Sequence, residues 1–447
     1  MIPSAPAASR ARRPVAIDLF SGAGGLSLGF ESAGFDVVSA VEYDPVHAAT
    51  HLYNFPNTDI LCADISGISK AELLASAARG WINHNPEADW DGVVDAIVGG
   101  PSCQGFSVMG KQDADDERNQ LIFEFVRLVR EVMPRTFCLE NVPGLLDPRF
   151  DEVRRRALDA LREVGYRITG DDVIIRAEDH GVPQKRRRVI VLGVLGDEAP
   201  EALVQLTEES FNVSDAFAGL PELWRYTPLT TTDVLRLSNT AVERHEDAEN
   251  SYLGFVGALG DGSELYGHRR QTVRGLLSGC RTTAHSEASA KRFGATAPGT
   301  KEPISRYFRL ANDAPALTLR AGTGRERGSF SAARPLHPTS ARVITVREAA
   351  RIHSFPDWFR FHTTNWHAHR QIGNAVPPVL ARAAAVTLMR ALSIEPTKST
   401  DPAVDFGDPS LLTLSPTAAA RHFSIATDQV PKRKRPETFA AEGDRAA

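Results

Sequence analysis

The chain has 447 residues, of which 42% are hydrophobic and 24% are charged, and its formal net charge is −5. This composition suits one large α/β domain with an insertion, or two or three domains, and the net charge argues against a protein that coats nucleic acid without specificity. Four cysteines without C-x-x-C spacing exclude a disulfide framework and argue against structural zinc, so we expect no metal. The N-terminus lacks a signal-peptide core and no apolar run approaches the length of a membrane span, which predicts a cytoplasmic protein that does not bind membranes.

Short apolar runs alternate with helical patterns between residues 15 and 195. Strands are predicted at residues 15–20, 36–41, 59–63, 95–98, 136–139, 166–176 and 187–195. Helices are predicted at residues 24–33, 45–53, 69–79, 119–132 and 151–164. Alternation at this spacing predicts an α/β fold built on a doubly wound, mostly parallel sheet.

This α/β rhythm stops after residue 196, and charge is unevenly spread in the stretch that follows. Residues 201–264 hold 3 Lys/Arg against 12 Asp/Glu, whereas residues 265–340 hold 13 Lys/Arg against 4 Asp/Glu. We expect the basic half to face a polyanion; a solvated surface is the alternative. Helical patterns return at residues 345–354 and 379–392.

Both chain ends have the composition of flexible segments. Residues 1–13 are rich in Ala, Ser, Pro and Arg and are predicted to be disordered, and residues 393–447 are predicted to form a flexible tail. The tail contains the basic cluster 432–435, which suits nucleic acid or a targeting signal as alternatives. Between the ends we divide the chain into a first domain at 14–196, a second domain at 197–340 and a C-terminal segment at 341–392.

Residues 18–29 form a glycine-rich turn between the first predicted strand and helix. Glycine lets the backbone approach a ligand closely, and the helix N-terminus offers free amide N–H groups. Glu42 ends the second predicted strand, where an acid can take the hydroxyls of a ribose, and Asp64 ends the third, where it can accept a bond from an adenine amino group. Each carboxylate alone could also be an ordinary surface group. A dinucleotide-binding enzyme is the alternative interpretation of this half of the chain, but it gives Cys103 and Glu140 no common role in catalysis.

Cys103 lies on the turn Gly-Gly-Pro-Ser-Cys-Gln-Gly-Phe-Ser at residues 99–107, and Glu140 ends the next predicted strand. In a parallel sheet both lie at the carboxyl ends of neighbouring strands, where such sheets bind ligands. A thiol nucleophile beside an acid suits covalent attack on an electron-poor ring that is protonated as it is attacked. A buried, inert cysteine is the alternative, and it fits Cys62 and Cys138 better. Arg186 and Arg188 are candidates to stabilise the thiolate, and a charged edge strand is their alternative role.

Together these blocks resemble the DNA (cytosine-5)-methyltransferase family of the restriction–modification type. The resemblance covers roughly residues 14–195 and 310–392, with the blocks in the family's usual order: 18–29, 99–107, 140–142, 184–188, 342–359 and 371–378. It implies the Rossmann-like fold of S-adenosylmethionine-dependent methyltransferases, with a smaller target-recognition domain at 197–340. It also implies that residues 341–392 return to complete the catalytic domain. One departure is Ser102, which stands where the family usually has proline before the nucleophile; we expect a looser turn, not lost chemistry.

The resemblance assigns roles residue by residue. Cys103 is the nucleophile that adds to cytosine C6, Glu140 handles the proton at N3, and Arg188 with Arg186 holds the O2 side of the base. The residues implied to bind S-adenosylmethionine, the methyl donor, are Phe20, Gly22, Gly24, Leu26, Glu42, Asp64, Ile65, Leu121, Asn374 and Val376. The target base must be flipped out of the duplex to reach this pocket.

The expected partner is double-stranded DNA, with Arg269, Arg270, Arg274 and Arg281 of the basic half as candidate contacts. A monomer is expected in a prokaryotic cytoplasm, and a cognate restriction endonuclease would act on the same site without a stable complex. Two alternatives remain open: a transfer-RNA cytosine methyltransferase, against which the recognition region of about 140 residues argues, and a nonenzymatic DNA-binding relative, which would need a broken site.

Overall fold

A computed structural model describes residues 12–101, 120–221, 231–238, 251–257, 266–322, 334–399 and 402–426. Its centre is an eight-stranded sheet in which β3, β2, β1, β4, β5, β9 and β6 follow one another and β7 pairs with β9. The strands of this sheet are β1 (Val15–Leu19), β2 (Asp36–Glu42), β3 (Asp59–Cys62), β4 (Ala96–Gly99), β5 (Thr136–Asn141), β6 (Tyr166–Thr169), β7 (Ile175–Arg176) and β9 (Arg187–Leu195).

The first five strands are parallel, and β9 runs antiparallel to β5, β6 and β7. Strands β1, β4 and β5 are buried along their whole length. This burial explains their continuous apolar runs, since a parallel sheet is covered on both faces. The predicted doubly wound, mostly parallel sheet is confirmed.

Helices cover both faces of the sheet, and polar caps fix several of their starts. They are α1 (Gly25–Ala33), α2 (Pro45–Asn54), α3 (Lys70–His84), α4 (Gln120–Val132) and α5 (Asp151–Glu163). Ser69 and Glu72 form a capping box at the start of α3, and Asp44 caps α2 through the Val46 amide. Such caps satisfy amide groups that the first turn of a helix cannot pair internally.

The recognition region, residues 197–340, contains only short elements among its described residues. These are α6 (Val213–Phe217), α7 (Ser251–Gly257), α8 (Glu287–Ala295) and the two-residue strands β10 (Leu235–Arg236), β11 (Leu276–Leu277) and β12 (Ala316–Leu317). β12 pairs in parallel with β8 (Gln184–Lys185), just before β9. Residues 197–340, the predicted recognition region, are therefore tied to the central sheet beside the start of β9.

The C-terminal segment returns to the sheet as α9 (Val346–Ile352), α10 (Asn365–Asn374) and α11 (Pro378–Ala391). α11 packs along α1 and shares an apolar cluster with it that includes Leu26, Phe30, Leu380 and Ala384. Within the described residues one stretch, Asn365–Ala391, is long and apolar enough to span a membrane, and 83% of its most apolar window is buried inside the protein. Such burial is typical of the core helices of a globular domain.

Three elements differ from the sequence predictions. The predicted strand at 166–176 is divided into β6 and β7, and α10 was not predicted. The predicted flexible tail is wrong for residues 402–426, which include α12 (Pro416–His422) and pack on α2. Leu411 and Leu412 are buried against Ala49 and Tyr53, and Phe406 stacks on Tyr53 with ring centroids 5.2 Å apart. These few apolar anchors hold a segment whose average composition is polar.

Candidate active site

The turn that leads to Cys103 begins beside Glu140, because β4 and β5 are parallel neighbours. The Asn141 side-chain amide donates to the Pro101 carbonyl at 3.4 Å. A Cβ atom built on Gly100 would stand 2.9 Å from a Glu140 carboxylate oxygen, so this position has no room for a side chain. Cys103 and the Ser102 before it lie outside the described residues, Cys103 two positions beyond Pro101.

Arg188 holds the Glu140 carboxylate. The Arg188 Nε lies 2.6 Å from the Glu140 Oε1, and the side chains are only 11% and 12% exposed. β9 runs antiparallel to β5, so the first residues of β9 lie beside the last residues of β5. A charge-assisted bond in this partly buried position fixes one carboxylate oxygen. The pair places the Glu140 carboxyl group, which can exchange a proton with a ligand, next to the Arg188 guanidinium, which can donate to a ligand carbonyl oxygen.

Arg186 does not accompany Arg188 at the carboxylate. Its guanidinium is 1% exposed and donates to the carbonyls of Leu319 (3.1 Å), Gly373 (3.1 Å) and Ala375 (2.8 Å). These acceptors lie just after β12 and at the junction of α10 and α11. The prediction that Arg186 touches the base is therefore corrected: it is a buried clamp between the recognition region, the C-terminal segment and the strand start that carries Arg188.

Gln184 and His353 extend this clamp, and sequence reasoning assigned neither of them a role. The Gln184 amide donates to the His353 Nδ1 at 2.9 Å and its Oε1 accepts from the Leu319 amide at 3.0 Å. The His353 Nε2 lies 2.9 Å from the Ala375 carbonyl. Burial, and then the neighbouring Arg186, hold the pKa of His353 well below its usual range. A neutral ring accepts at Nδ1 and donates at Nε2, which fits both contacts.

The glycine-rich turn before α1 has the backbone of a ligand cradle. Phe20, Gly22 and Gly24 have φ angles of 61°, 56° and 103°, a left-handed region that glycine favours and phenylalanine rarely adopts. Gly24 caps α1 without a side-chain bond, which leaves amide donors of the first turn available. A Cβ on Gly22 would meet no atom within 4 Å, so open space lies above the turn. This is where an anionic or polar ligand group can approach the backbone.

Glu42 is positioned by that turn. One carboxylate oxygen accepts from the Gly22 amide at 2.8 Å and the other from the Asp44 amide at 2.7 Å. Burial raises the pKa of Glu42 above its usual value. Asp64 follows the neighbouring strand β3; it is exposed and accepts from the Ser66 amide and hydroxyl at 3.0 and 2.8 Å. Ile65 beside it is buried.

The remaining predicted donor residues lie around the same turn. The Val376 carbonyl would stand 2.4 Å from a Cβ on Gly25, so the C-terminal segment contacts the first turn of α1 directly. Leu26 is buried in the apolar cluster that also contains Val376. Leu121 is half-buried in the first turn of α4, and Asn374 is exposed at the end of α10. The return of the chain end to the glycine turn is thus present in the fold.

A buried polar chain behind the glycine turn was missed. The Asp18 carboxylate is fully buried and accepts from the Ser27 amide (3.1 Å) and hydroxyl (2.6 Å), and the Ser27 hydroxyl lies 2.9 Å from the His51 Nε2. Burial raises the pKa of Asp18 to about 7 and lowers that of His51 to about 3. The only sequence signal is a carboxylate inside the apolar strand Val-Ala-Ile-Asp-Leu.

The predicted DNA contacts separate into exposed and buried residues. Arg269 and Arg274 are exposed and Arg281 is half-buried. Arg270 is 6% exposed, forms a 2.9 Å ion pair with Glu31 and lies over the Phe55 ring, so its assignment as a DNA contact is corrected. The neighbouring His268 is also buried; its Nε2 lies 2.9 Å from the Asp36 Oδ1.

The thiols among the described residues behave as buried groups. Cys138 is 1% exposed in β5, Cys280 is fully buried and Cys62 is half-buried at the end of β3. Burial raises the pKa of all three thiols above its usual range. None of these three is therefore a ready thiolate at neutral pH.

Comparison with known proteins identifies the family of this chain. The model of the family "C-5 cytosine-specific DNA methylase" matches residues 15–390. The Type II methyltransferase M.XorII of Xanthomonas oryzae pv. oryzae is 42% identical over 424 residues, covering 95% of this chain and 96% of that protein. The Type II methyltransferase M1.HphI of Haemophilus parahaemolyticus is 32% identical and covers 84% of this chain and 86% of its own.

Solved structures show the same architecture. A prophage-encoded DNA modification methyltransferase of E. coli has a TM-score of 0.66 and 33% identity. The match covers 85% of this chain and 99% of that protein. The Dnmt2 methyltransferase of S. pombe, at 15% identity and a TM-score of 0.51, shares the fold. On the family model and on relatives matched over nearly their whole length, the chain belongs to the C-5 cytosine-specific DNA methylase family, and the enzyme class expected from its sequence is confirmed.

Proposed function

We propose that this methyltransferase modifies C5 of a flipped-out cytosine in a specific double-stranded DNA sequence, with S-adenosylmethionine as methyl donor and a covalent bond between Cys103 and cytosine C6. The observation that carries the proposal is the 2.6 Å Glu140–Arg188 pair beside the turn that leads to Cys103. The match to Type II methyltransferases supports a role in protecting host DNA in a restriction–modification system. We infer a cytoplasmic monomer that shares its site with an endonuclease without a stable complex.

The chain's own groups divide the chemistry between them. The Cys103 thiolate forms the S–C6 bond, and the displaced electron pair moves toward C5 while Glu140 holds the proton at N3. Arg188 keeps the Glu140 carboxylate in place and offers its remaining N–H donors to the O2 side of the ring. Once C5 carries the methyl group, loss of its proton to water lets the S–C6 bond break with its electron pair on sulfur, which restores the aromatic ring and the thiolate.

S-adenosylmethionine, when bound, supplies the electrophilic methyl group that C5 receives. The residues that would hold it are those around the glycine turn: Glu42 for the ribose, Asp64 and Ile65 for the adenine, and Phe20, Gly22, Gly24, Leu26, Leu121, Asn374 and Val376 around them. The open space above Gly22 supports a polar ligand at this turn; of the first-turn amides of α1, that of Ser27 is already bonded to Asp18. The two oxygens of Glu42 are each held by one amide, which fixes the carboxylate and leaves further lone pairs for ligand hydroxyls.

A mechanism-based substrate tests the covalent step. Target duplex carrying 5-fluorocytosine should trap an enzyme–DNA adduct, because fluorine cannot leave C5 as a proton does. Cys103→Ser should abolish the adduct and keep donor binding. Cys62→Ser is the matched control, since burial keeps that thiol protonated, and it should form the adduct like the native enzyme. An adduct of equal yield with Cys103→Ser contradicts the assignment.

The nucleic-acid class needs its own measurement. Labelled methyl groups should enter duplex DNA and not transfer RNA, and bisulfite sequencing of DNA from expressing cells should show modified cytosines in one sequence context. Label in transfer RNA alone would favour the RNA-modifying alternative.

A further inference from the structure

Two imidazole rings and a carboxylate form a buried group at the amino end of the sheet. Asp36 begins β2, His84 ends α3, and His268 belongs to the recognition region. The three residues are 1%, 9% and 4% exposed, and one ligand atom from each lies within 4.8 Å of the other two. Six strand positions, or about 20 Å, separate Asp36 from Glu42 at the opposite end of β2. The group is therefore distinct from the proposed active site.

The His84 ring is buried without a polar partner. Both of its nitrogens are inaccessible to solvent, and neither has a hydrogen-bond partner among the described residues. The ring packs beside that of His268, with centroids 5.1 Å apart. Burial lowers the pKa of His84 to about 4, so at neutral pH the ring is uncharged and carries a free lone pair. Buried polar groups without a partner are rare, and an ordered water or ion is a common explanation for them.

His268 is oriented in the way that metal-binding histidines are. Its Nε2 lies 2.9 Å from the Asp36 Oδ1, and its Nδ1 lies 3.0 Å from the Ser399 hydroxyl oxygen. Without a metal the ring donates from Nε2 to the carboxylate. With a metal at Nε2 the ring proton moves to Nδ1 and is donated to Ser399, which keeps the ring neutral. Metal-bound histidines usually donate their second ring N–H to a partner of this kind.

There is space for one small occupant beside the two rings. His84 and His268 line a cavity together with Glu31 and Arg270. Its volume of about 10 Å³ is close to the least that a single water molecule needs. The occupant is therefore one atom in size, either a water molecule or a metal ion.

The charges around the group restrict which ion fits. The Arg13 Nε lies 2.6 Å from the Asp36 Oδ1, and Arg270 lies 2.9 Å from Glu31, so both nearby carboxylates are already paired with cations. The second oxygen of Asp36, Oδ2, accepts from the Asn85 amide only at the long distance of 3.5 Å. Mg²⁺ and Ca²⁺ need several oxygen ligands, which this group does not supply. Two imidazoles and one carboxylate oxygen suit Zn²⁺ and similar transition metals.

We propose that Asp36, His84 and His268 bind one divalent transition-metal ion, of which Zn²⁺ fits best, with a water molecule as the fourth ligand. Zinc bonds of about 2.0–2.1 Å place the ligand atoms of a tetrahedral site about 3.3 Å apart, so small side-chain rotations would close the group. The ion would fasten the recognition region, through His268, to β2 and α3. Asp36 and His268 are 232 positions apart, which is why cysteine spacing led to the expectation of no metal.

Metal titration of the full chain, without an affinity tag and after treatment with a chelator, tests the proposal. One equivalent of Co²⁺ should give the visible absorption of a tetrahedral site, and Zn²⁺ but not Mg²⁺ should abolish it. His84→Ala should weaken Zn²⁺ binding by about 100-fold or more, because loss of an outer partner alone costs 10–100-fold. Ser399→Ala, which removes such an outer partner, should weaken it by about tenfold. His422→Ala, at an exposed residue of α12, is the matched control and should bind Zn²⁺ as the native chain does.

Two results would overturn the proposal: no tetrahedral Co²⁺ spectrum from the native chain, or native Zn²⁺ affinity in His84→Ala. Either result would assign the cavity to a water molecule. Zn²⁺ should also raise the midpoint of thermal unfolding of the native chain and not that of His84→Ala; an equal rise in both would count against this site. Calorimetry of S-adenosylmethionine binding checks that each variant is folded. None of these measurements involves DNA, so the inference stands or falls independently of the proposed function.

Discussion

Replacing Arg186 tests whether it is a structural clamp or a group that touches the base. In Arg186→Ala the carbonyls of Leu319 and Gly373 lose their Arg186 donor, and the carbonyl of Ala375 keeps only its contact with the His353 Nε2. Hydrogen bonds to a charged group contribute about 1.5–3 kcal/mol each, and such losses are not additive within one cluster. Two or three such bonds, counted as less than additive, should together lower the free energy of unfolding by roughly 3–5 kcal/mol.

Denaturant unfolding of the full chain measures this, with Arg187→Ala as the control because its side chain is exposed one position away. Arg186→Lys should recover little, since one ammonium group cannot reproduce the planar fork that reaches carbonyls of two segments. Binding of S-adenosylmethionine should weaken together with stability. Gly373 and Ala375 lie within three residues of Val376, which contacts the first turn of α1 beside the glycine turn. A variant with native stability and native affinity for S-adenosylmethionine but no turnover would contradict the structural role and would support direct contact between Arg186 and the base.

Three further predictions concern Glu42 at the glycine turn, the arginines of the basic half and the buried Asp18. Glu42→Ala should weaken S-adenosylmethionine binding by roughly 1–3 kcal/mol, the range for a charged hydrogen bond, and Glu42→Gln should lose less; equal affinity in calorimetry would remove Glu42 from the pocket. Arg270→Ala should lower stability and leave the salt dependence of DNA binding unchanged, because its charge is paired with Glu31, whereas Arg269→Ala should flatten that dependence by about one unit if it contacts phosphate. Asp18 has a pKa of about 7 in the folded protein, above its unfolded value of 3.8, so the free energy of unfolding should fall as pH rises from about 4 to 7. Asp18→Asn should remove this pH dependence when unfolding is measured at pH 5 and 8. A dependence that persists in the variant would assign it to another group.

Strands β1, β4 and β5 were predictable because they are buried on both faces and are therefore mostly apolar. The same rule could not separate Arg186 from Arg188. Two residues apart on one strand, they would share a face, but β8 ends at Lys185 and β9 begins at Arg187, and Arg186 lies in the break between them. The period of two does not continue across that break, so one arginine reaches Glu140 and the other turns into the interior.

Charge counting failed at Arg270 for a different reason. A tally of residues 265–340 finds a strong excess of cations, but it does not show which of them neutralise acids of the catalytic domain. Arg270 pairs with Glu31, and His268 with Asp36, 239 and 232 positions away. Similarly, α10 is rich in polar residues, with only a few apolar ones on its buried face. One of its polar residues, Gln371, is buried and donates to the Thr50 hydroxyl at 2.8 Å, a contact that the sequence does not reveal.

The contacts around β8 couple the two halves of the reaction. Gln184, Arg186 and His353 bond to the backbone of two segments. One is Leu319, just after β12; the other is Ala375, next to Val376, which contacts the first turn of α1. Arg188, two residues further on, holds the Glu140 carboxylate. A shift of the C-terminal segment that disturbs the donor turn must therefore strain the strand start that positions Arg188. Because the clamp is buried and bonded to the backbone of both segments, we expect it to transmit such a shift. If the methyl donor and the base bind as proposed, the return of residues 341–392 to α1 therefore also sets the distance between these two ligands.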